Sequence, residues 1–223
     1  ILVSPDAVDL SLFNNLPSDR AILRKNLNLP TDKLLVTYVG KYTTMNKDKG
    51  VDALIEAFSL VHRRLPNGVL LLVGIVETEI MNLKNFIAQM GLPVEAYRLV
   101  KYRPHEEAMK YVKASDVLIM NYPNWGHYTL YMSPLKLFEY MASGNVVVST
   151  SLPSIREILS SREAYLVEPD NVKALADGIY YALTHPEESS QKAKFALDLV
   201  KKYTWETRAN NILRFLLCQP KQV

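Results

Sequence analysis

The sequence predicts an α/β fold built on a doubly wound parallel sheet of about six strands. Short apolar runs alternate with amphipathic stretches along most of the 223 residues. The runs "LLLVG" (70–74) and "NVVVST" (145–150) are apolar on both sides of an extended chain, which is typical of strands buried between helix layers. Parallel crossovers connect such strands. Ligands of these sheets bind beyond the carboxyl ends of the strands.

The predicted elements follow one another regularly. Each predicted strand is a short run rich in Val, Leu, Ile or Tyr, and each predicted helix repeats apolar residues at helical spacing. Strands are predicted at 33–40, 68–74, 97–102, 116–122, 145–150 and 163–169, and the helices that follow them at 49–66, 78–91, 105–116, 133–144, 153–159 and 170–186. A strand-like 1–4 and a helix at 17–28 precede this series, and helices at 187–203 and 205–217 close it.

Composition and charge argue against several classes of protein. The net charge is only +3, from 26 basic and 23 acidic residues, so we expect no nucleic-acid partner. One cysteine, Cys218, excludes an internal disulfide framework and suits a reducing compartment. No apolar run approaches the roughly 20 residues of a membrane span. The opening "ILVSPDAVDL" has neither methionine nor a charged leader, so we expect no signal peptide, a cytoplasmic location and a longer parent chain.

The first strand end of interest is "YVGKYTTMNKDKGVD" (38–52). Gly40 ends the strand and lets the backbone approach a ligand closely, and Lys41 follows it. Lys49 stands at the start of the next helix, whose free N–H groups suit a phosphate. Lysines in loops are more often solvated surface residues, and the Gly-Lys-Ser/Thr ending of a P-loop is absent from this stretch.

The second is the loop "RPHEE" (103–107) after the third strand. Pro104 shapes the turn, and Tyr102, Arg103 and His105 are placed to border a base or a sugar. A single histidine in a loop is more often a surface residue than a catalyst.

The third is "NYPNWGHYTLYMSPLKLFEY" (121–140). Ser133 is a favourable N-cap and Pro134 suits the first helical turn. The N–H groups of Leu135 and Lys136 would then be free for an anion.

Glu139 lies in the apolar part of that helix, and a buried carboxylate needs a partner. It stands one turn below Leu135, and helical side chains lean towards the N-terminus, so its carboxylate points back to the helix start. There it could accept two ribose hydroxyl groups. The alternative is an ordinary Lys136–Glu139 pair at helical spacing. The constellation favours a nucleotide diphosphate.

These residues resemble a known family. "SPLKLFEYMASG" followed by "VVVSTSLPSIREIL" is similar to the nucleotide-sugar-binding half of family 4 (group 1) glycosyltransferases, retaining enzymes of the GT-B fold, whose halves are Rossmann-like. "SPDAVDLSLF" (4–13) resembles the family's Pro-Asn-Gly-Val-Asp-x-x-x-Phe element at the domain crossover. "YVGKY…KGVDALIEAF" resembles its phosphate element, and "YTWETRANNILRFL" (203–216) its closing helix.

The resemblance assigns roles residue by residue. Lys41 stands where the family usually has arginine and Lys49 where it has lysine, both facing the donor diphosphate. Glu139 matches the second glutamate of a pair spaced by seven residues, the one that binds ribose. The first glutamate is replaced by Tyr131, so the contact to the donor sugar would be absent or would come from His127 or Tyr128.

The resemblance implies the donor-binding half of a retaining glycosyltransferase. It would transfer a sugar from a UDP- or GDP-sugar to a saccharide or lipid-linked acceptor, with no cofactor and no metal. We expect a crossover segment at 1–16, a donor-binding domain at 17–203 and, at 204–223, a helix that packs towards an N-terminal domain outside this sequence. That domain would carry the acceptor site and could make the enzyme peripheral to a membrane. The alternatives are a non-catalytic nucleotide-sugar-binding subunit, a GT-B sugar epimerase and an unrelated doubly wound binding protein.

Overall fold

A computed structural model of the chain describes residues 1–44 and 47–217. Its main sheet has six strands, all parallel, in the order β5-β4-β1-β6-β7-β8. The predicted fold class is therefore confirmed. These strands are β1 (Leu34–Val39), β4 (Gly68–Ile75), β5 (Tyr97–Lys101), β6 (Val117–Met120), β7 (Val146–Thr150) and β8 (Tyr165–Val167), and β2 (Thr43–Thr44) and β3 (Lys47–Asp48) form a small hairpin.

Helices cover both faces of the sheet. They are α1 (Ser11–Asn14), α2 (Arg20–Asn26), α3 (Val51–Arg64), α4 (Glu77–Gln89), α5 (His105–Ala114), α6 (Gly126–Leu130), α7 (Leu135–Ser143), α8 (Pro153–Arg156), α9 (Val172–Thr184), α10 (Pro186–Val200) and α11 (Trp205–Leu217). Successive side chains of a strand point to opposite faces. Accordingly Val36 and Tyr38 of β1 pack with α3, α4 and α9, whereas Leu35 packs with α2 and α5. The central strands are buried on both sides, as their continuous apolar runs predict.

A charged cluster fixes the amino ends of the strands. The guanidinium of Arg24 donates to Asp116 Oδ2 at 2.7 Å, and the same oxygen accepts the N–H of Leu35 at 2.7 Å. Arg20 contacts the other carboxylate oxygen at 2.8 Å. Because Arg24 is buried and its donors are satisfied, the cluster holds α2 against β1 and β6 at the edge of the sheet opposite the carboxyl ends.

The two ends of the described chain lie together. Val8 forms a parallel bridge with Thr204, and Arg208 of α11 donates to the Asp6 carboxylate at 2.6 Å. The strand predicted at 1–4 is wrong, because these residues form no strand and the first three are exposed.

Helix α11 has no buried residue over Trp205–Leu217. Its apolar side chains Leu213, Leu216 and Leu217 are more than half exposed. The predicted helix exists over this range, whereas Cys218 and the rest of the predicted 204–223 segment lie outside the described residues. Among the helices of residues 1–44 and 47–217, none is long and apolar enough to cross a bilayer.

Candidate functional site

The site lies where β1 and β6 end and where α3, α5 and α7 begin. Backbone forms much of its floor. Gly40 follows β1 with φ +144°, and Gly50 caps α3 with φ +85°. A Cβ at Gly50 would lie only 1.8 Å from the carbonyl oxygen of Asn121, whose side-chain amide donates to the Gly50 carbonyl at 3.0 Å. Only glycine fits there, so α3 starts directly against the end of β6.

Two lysines predicted to bind phosphate stand at this edge. Lys41 is exposed and its carbonyl accepts the Tyr38 hydroxyl at 3.0 Å, which fixes the backbone after β1. Lys49 is half-buried at the start of α3. Burial lowers the pKa of Lys49, and the neighbouring charge of Lys41 lowers it further. The two amines are therefore close enough to repel each other, which favours an anion between them.

A third lysine reaches the same place from α7. The Nζ atom of Lys136 is buried and makes no hydrogen bond to any described residue. It lies 3.7 Å from the centroid of the Tyr38 ring, and a Cβ on Gly40 would approach it to 3.0 Å. Burial holds the pKa of Lys136 well below its usual range; the charge of Lys49 lowers it too, and Glu139 opposes both.

Glu139 is paired with His105. Its Oε1 atom lies 2.6 Å from His105 Nε2, whereas no ion pair joins it to Lys136. The simple Lys136–Glu139 pair weighed from the sequence is thus wrong. The Glu139 side chain is 10% exposed and that of His105 is 52% exposed, so the histidine covers one oxygen of the carboxylate from the solvent side.

Two tyrosines line the apolar side of Glu139. Burial raises the pKa of Tyr122 and of Tyr140, and the Glu139 charge adds to both shifts. The Tyr140 hydroxyl accepts the N–H of Val39 at 2.9 Å, which ties α7 to the end of β1. Both phenols therefore stay neutral beside the carboxylate and contribute no charge to the site.

The start of α7 differs from the prediction. Pro134, not Ser133, occupies the N-cap, and no side chain caps the helix. The Ser133 hydroxyl instead accepts the N–H of Asp6 at 2.7 Å. The prediction for Ser133 fails because its partner lies 127 residues away in the sequence. The N–H groups of Leu135 and Lys136 donate no hydrogen bond within the described chain, so they remain open to an anion.

The remaining predicted residues contact neighbours other than the lysines. Arg103 bonds the carbonyl of Tyr102 and lies 3.8 Å from Glu107. His127 belongs to an aromatic cluster with Trp125 and Tyr128, at centroid distances of 6.0 and 5.6 Å.

Tyr131 ends α6 and is 78% exposed. In the described part of the chain, no hydrogen bond joins His127 or Tyr131 to Glu139 or to a lysine of the site.

Three residues that shape the site were not predicted from the sequence. Asn121 holds the start of α3, Tyr38 stacks under Lys136, and Tyr140 anchors α7 to β1. Their only sequence signal is their place in or just after an apolar strand or helix. No group of three or more His, Cys, Asp or Glu side chains able to hold a metal ion occurs among the described residues.

Three amines, two free N–H groups and one buried carboxylate thus converge at the carboxyl ends of the strands. The cations and N–H groups suit a phosphate or diphosphate. The carboxylate suits a hydroxyl donor such as a sugar.

Known proteins resemble this chain in sequence and in fold. The family model "Glycosyl transferases group 1" matches residues 19–197. The D-inositol 3-phosphate glycosyltransferase of Corynebacterium urealyticum is 24% identical over 204 residues, which cover 88% of this chain and 46% of that protein. The chain thus spans about half the length of the curated relatives it matches.

Two crystal structures share the fold. Anabaena HepE in complex with UDP-glucose superposes with a TM-score of 0.77 at 20% identity, over 95% of this chain and 56% of that one. The C-terminal domain of the group 1 glycosyltransferase LpcC from Francisella tularensis gives 0.73 at 20% identity, over 89% of this chain and 100% of that domain. Because the family model covers residues 19–197, more than half of the chain, the chain belongs to the group 1 family of glycosyltransferases.

Proposed function

We propose that this chain is the donor-binding half of a retaining glycosyltransferase. The enzyme transfers a sugar from a UDP- or GDP-sugar to a saccharide or lipid-linked acceptor. The observation that carries the proposal is the convergence of Lys41, Lys49 and the start of α7 on the Gly40 turn, with Glu139 beside them.

The lysines act on the diphosphate. Breaking the bond between sugar and diphosphate leaves negative charge on the departing phosphate oxygen. Lys41, Lys49 and the N–H groups of Leu135 and Lys136 stabilise that charge because they are in place before the reaction. Positive charge from fixed side chains does this work without a metal ion.

Glu139 holds the ribose. A carboxylate accepts hydrogen bonds at both oxygens. His105 contacts Oε1, so Oε2 is available to one ribose hydroxyl. The second ribose hydroxyl then replaces His105 at Oε1. His105, Arg103 and Gly40 border the nucleotide, and the cluster of Trp125, His127 and Tyr128 borders the donor sugar.

The acceptor belongs to the rest of the enzyme. This chain spans 46% of its curated relative, and the exposed apolar face of α11 suits a second domain that carries the acceptor site. We assign 1–16 to the crossover between domains, 17–203 to the donor-binding domain and 204–223 to the segment that packs on the second domain. HepE was crystallised with UDP-glucose, which favours a uridine donor. The enzyme works in the cytoplasm, peripheral to the membrane where the acceptor is a lipid.

Glu139→Gln tests the proposal. Gln keeps the side-chain shape and helix propensity but loses the charge and one acceptor oxygen. Titration calorimetry should show UDP affinity reduced by about 1–3 kcal/mol, with the loss shrinking towards zero for 2′,3′-dideoxy-UDP. Glu187→Gln on α10 is the matched control and should change neither affinity. Equal losses for the two nucleotides would rule out the ribose contact.

One observation favours a second candidate function. Tyr131 stands where the family has its first glutamate and is 78% exposed. A non-catalytic nucleotide-sugar-binding subunit needs no contact at that place. Donor binding without donor hydrolysis or sugar transfer by the full-length protein would select this candidate over the transferase.

A further inference from the structure

The buried amine of Lys136 is not explained by the fold. Lys136 is only partly buried, but its Nζ atom is buried, and a buried polar group without a hydrogen bond destabilises the folded state. The Nζ atom nevertheless makes no hydrogen bond within the described residues. The presence of the Lys136 amine at such a position calls for a functional explanation.

The amine lies directly behind the proposed phosphate site. Gly40 directly precedes Lys41, and its backbone turns there with φ +144°. A Cβ on Gly40 would come within 3.0 Å of Nζ. Nζ also lies within electrostatic reach of Lys49, so an anion bound by Lys41 and Lys49 would act on the amine.

Accepting the proposed function, we infer that Lys136 is a further positioning residue of the donor site, whose amine takes up a proton when the diphosphate binds and supplies positive charge from beneath the Gly40 turn. The step is a simple protonation, in which the amine lone pair accepts a proton released by the buffer and the ammonium forms. No other bond is made or broken.

The surroundings of the amine explain the direction of the change. Lys49 repels the protonated form, Glu139 attracts it, and the rings of Tyr38 and Tyr122 lie 3.7 and 5.6 Å from Nζ. Without a bound anion, burial and the charge of Lys49 outweigh the charge of Glu139, so the pKa of Lys136 is lowered. A bound diphosphate adds negative charge on the side of Lys49 and reverses the balance, which raises the pKa of the amine.

The change in the pKa of Lys136 on binding defines a window of pH in which the affinity depends on pH. Between the lowered pKa of the free chain and the higher one of the complex, binding takes up a proton, and affinity falls as pH rises through that window. Lys41 acts on Lys49, and His105 is paired with Glu139. All four groups remain present when Lys136 alone is replaced, so that replacement isolates the contribution of the amine.

The experiment measures proton uptake by calorimetry. UDP-glucose is titrated into the full chain between pH 7 and 9, in pairs of buffers with different heats of ionisation. We expect wild-type binding to take up a proton from the buffer, in the direction set by the lowered pKa of Lys136. Lys136→Met should lose that uptake and bind about tenfold more weakly, the equivalent of one charged contact. Lys84→Met, the same substitution on the exposed surface of α4, should behave as wild type.

Three outcomes would overturn the inference. Wild-type binding without uptake at any pH, or unchanged uptake in Lys136→Met, would remove the role of Lys136 and leave the donor site standing. Absence of UDP-glucose binding by the wild type would refute the inference and the uridine donor together. If Lys136→Met does not fold, Lys136→Gln takes its place, and its proton uptake is compared with that of the wild type in the same way.

Discussion

Replacing Lys136 with methionine should stabilise the chain at neutral pH. Methionine keeps the length and flexibility of the lysine stem but has no amine to bury. A buried polar group without a hydrogen bond destabilises the folded state by about 1–3 kcal/mol, and the contact of Nζ with the Tyr38 ring offsets part of this. The free energy of unfolding should therefore rise by about 1 kcal/mol.

The gain should depend on pH. Burial lowers the pKa of Lys136 in the folded chain, whereas the unfolded chain keeps a lysine near its ordinary value of about 10.4. The unfolded state then binds more protons between these two values, so wild-type stability rises with pH across this window. The pH-dependent part of the advantage of the methionine variant is largest below the folded-state pKa and disappears as pH approaches about 10.

Urea and thermal unfolding at pH 7 and pH 9.5 measure both effects. At pH 7 the melting temperature should rise by about 2–4 °C, and at pH 9.5 by less. Lys84→Met should leave it unchanged. A variant that is less stable than wild type at pH 7 would show that the amine contributes favourably to the unliganded fold, and the reasoning from its missing hydrogen bond would be refuted.

Two further predictions concern the ligand. Lys49→Ala should weaken UDP binding by about 1.5–3 kcal/mol, the scale of a hydrogen bond to a charged group, with Lys84→Ala as the control; an unchanged calorimetric affinity would remove Lys49 from the phosphate site. Trp125, 37% exposed in the segment 121–131 that contains α6, should change its fluorescence when saturating UDP-glucose orders this segment over the donor. Constant emission would identify the segment as a rigid surface whose aromatic side chains pack on one another.

The sheet could be predicted because its signal is local. Each of the six strands, β1 and β4–β8, coincides with an apolar run of the sequence. A strand that is buried on both faces can be recognised from such a run alone, without knowing which strands lie beside it. The short elements gave no such signal. Helix α6 has only five residues, Gly126–Leu130, which is too few for helical periodicity to show. Its aromatic residues pack on one another and on Tyr122.

The partners of the site residues could not be predicted for a different reason. Spacing along a helix suggests that Glu139 pairs with Lys136, but its partner is His105 on α5, 34 residues away. Ser133 has the composition of an N-cap, yet its hydroxyl is engaged by the backbone of Asp6. Both contacts depend on how α5, α7 and the first residues meet in space. The positions of Lys41, Lys49 and Glu139 at one edge of the sheet remain predictable, because they follow from the order of strands and helices.

The pairing of His105 with Glu139 bears on the speed of donor binding. The ring is half exposed, and it stands at the first residue of α5 with solvent on one side. An exposed side chain changes rotamer within picoseconds to nanoseconds, far faster than any encounter with a ligand at micromolar concentration. The carboxylate can therefore exchange the imidazole for a hydroxyl group without delaying association. If UDP-glucose binding proves slow, the delay comes from elsewhere in the chain, and the segment 121–131, which contains α6, is the one whose relaxation should be timed.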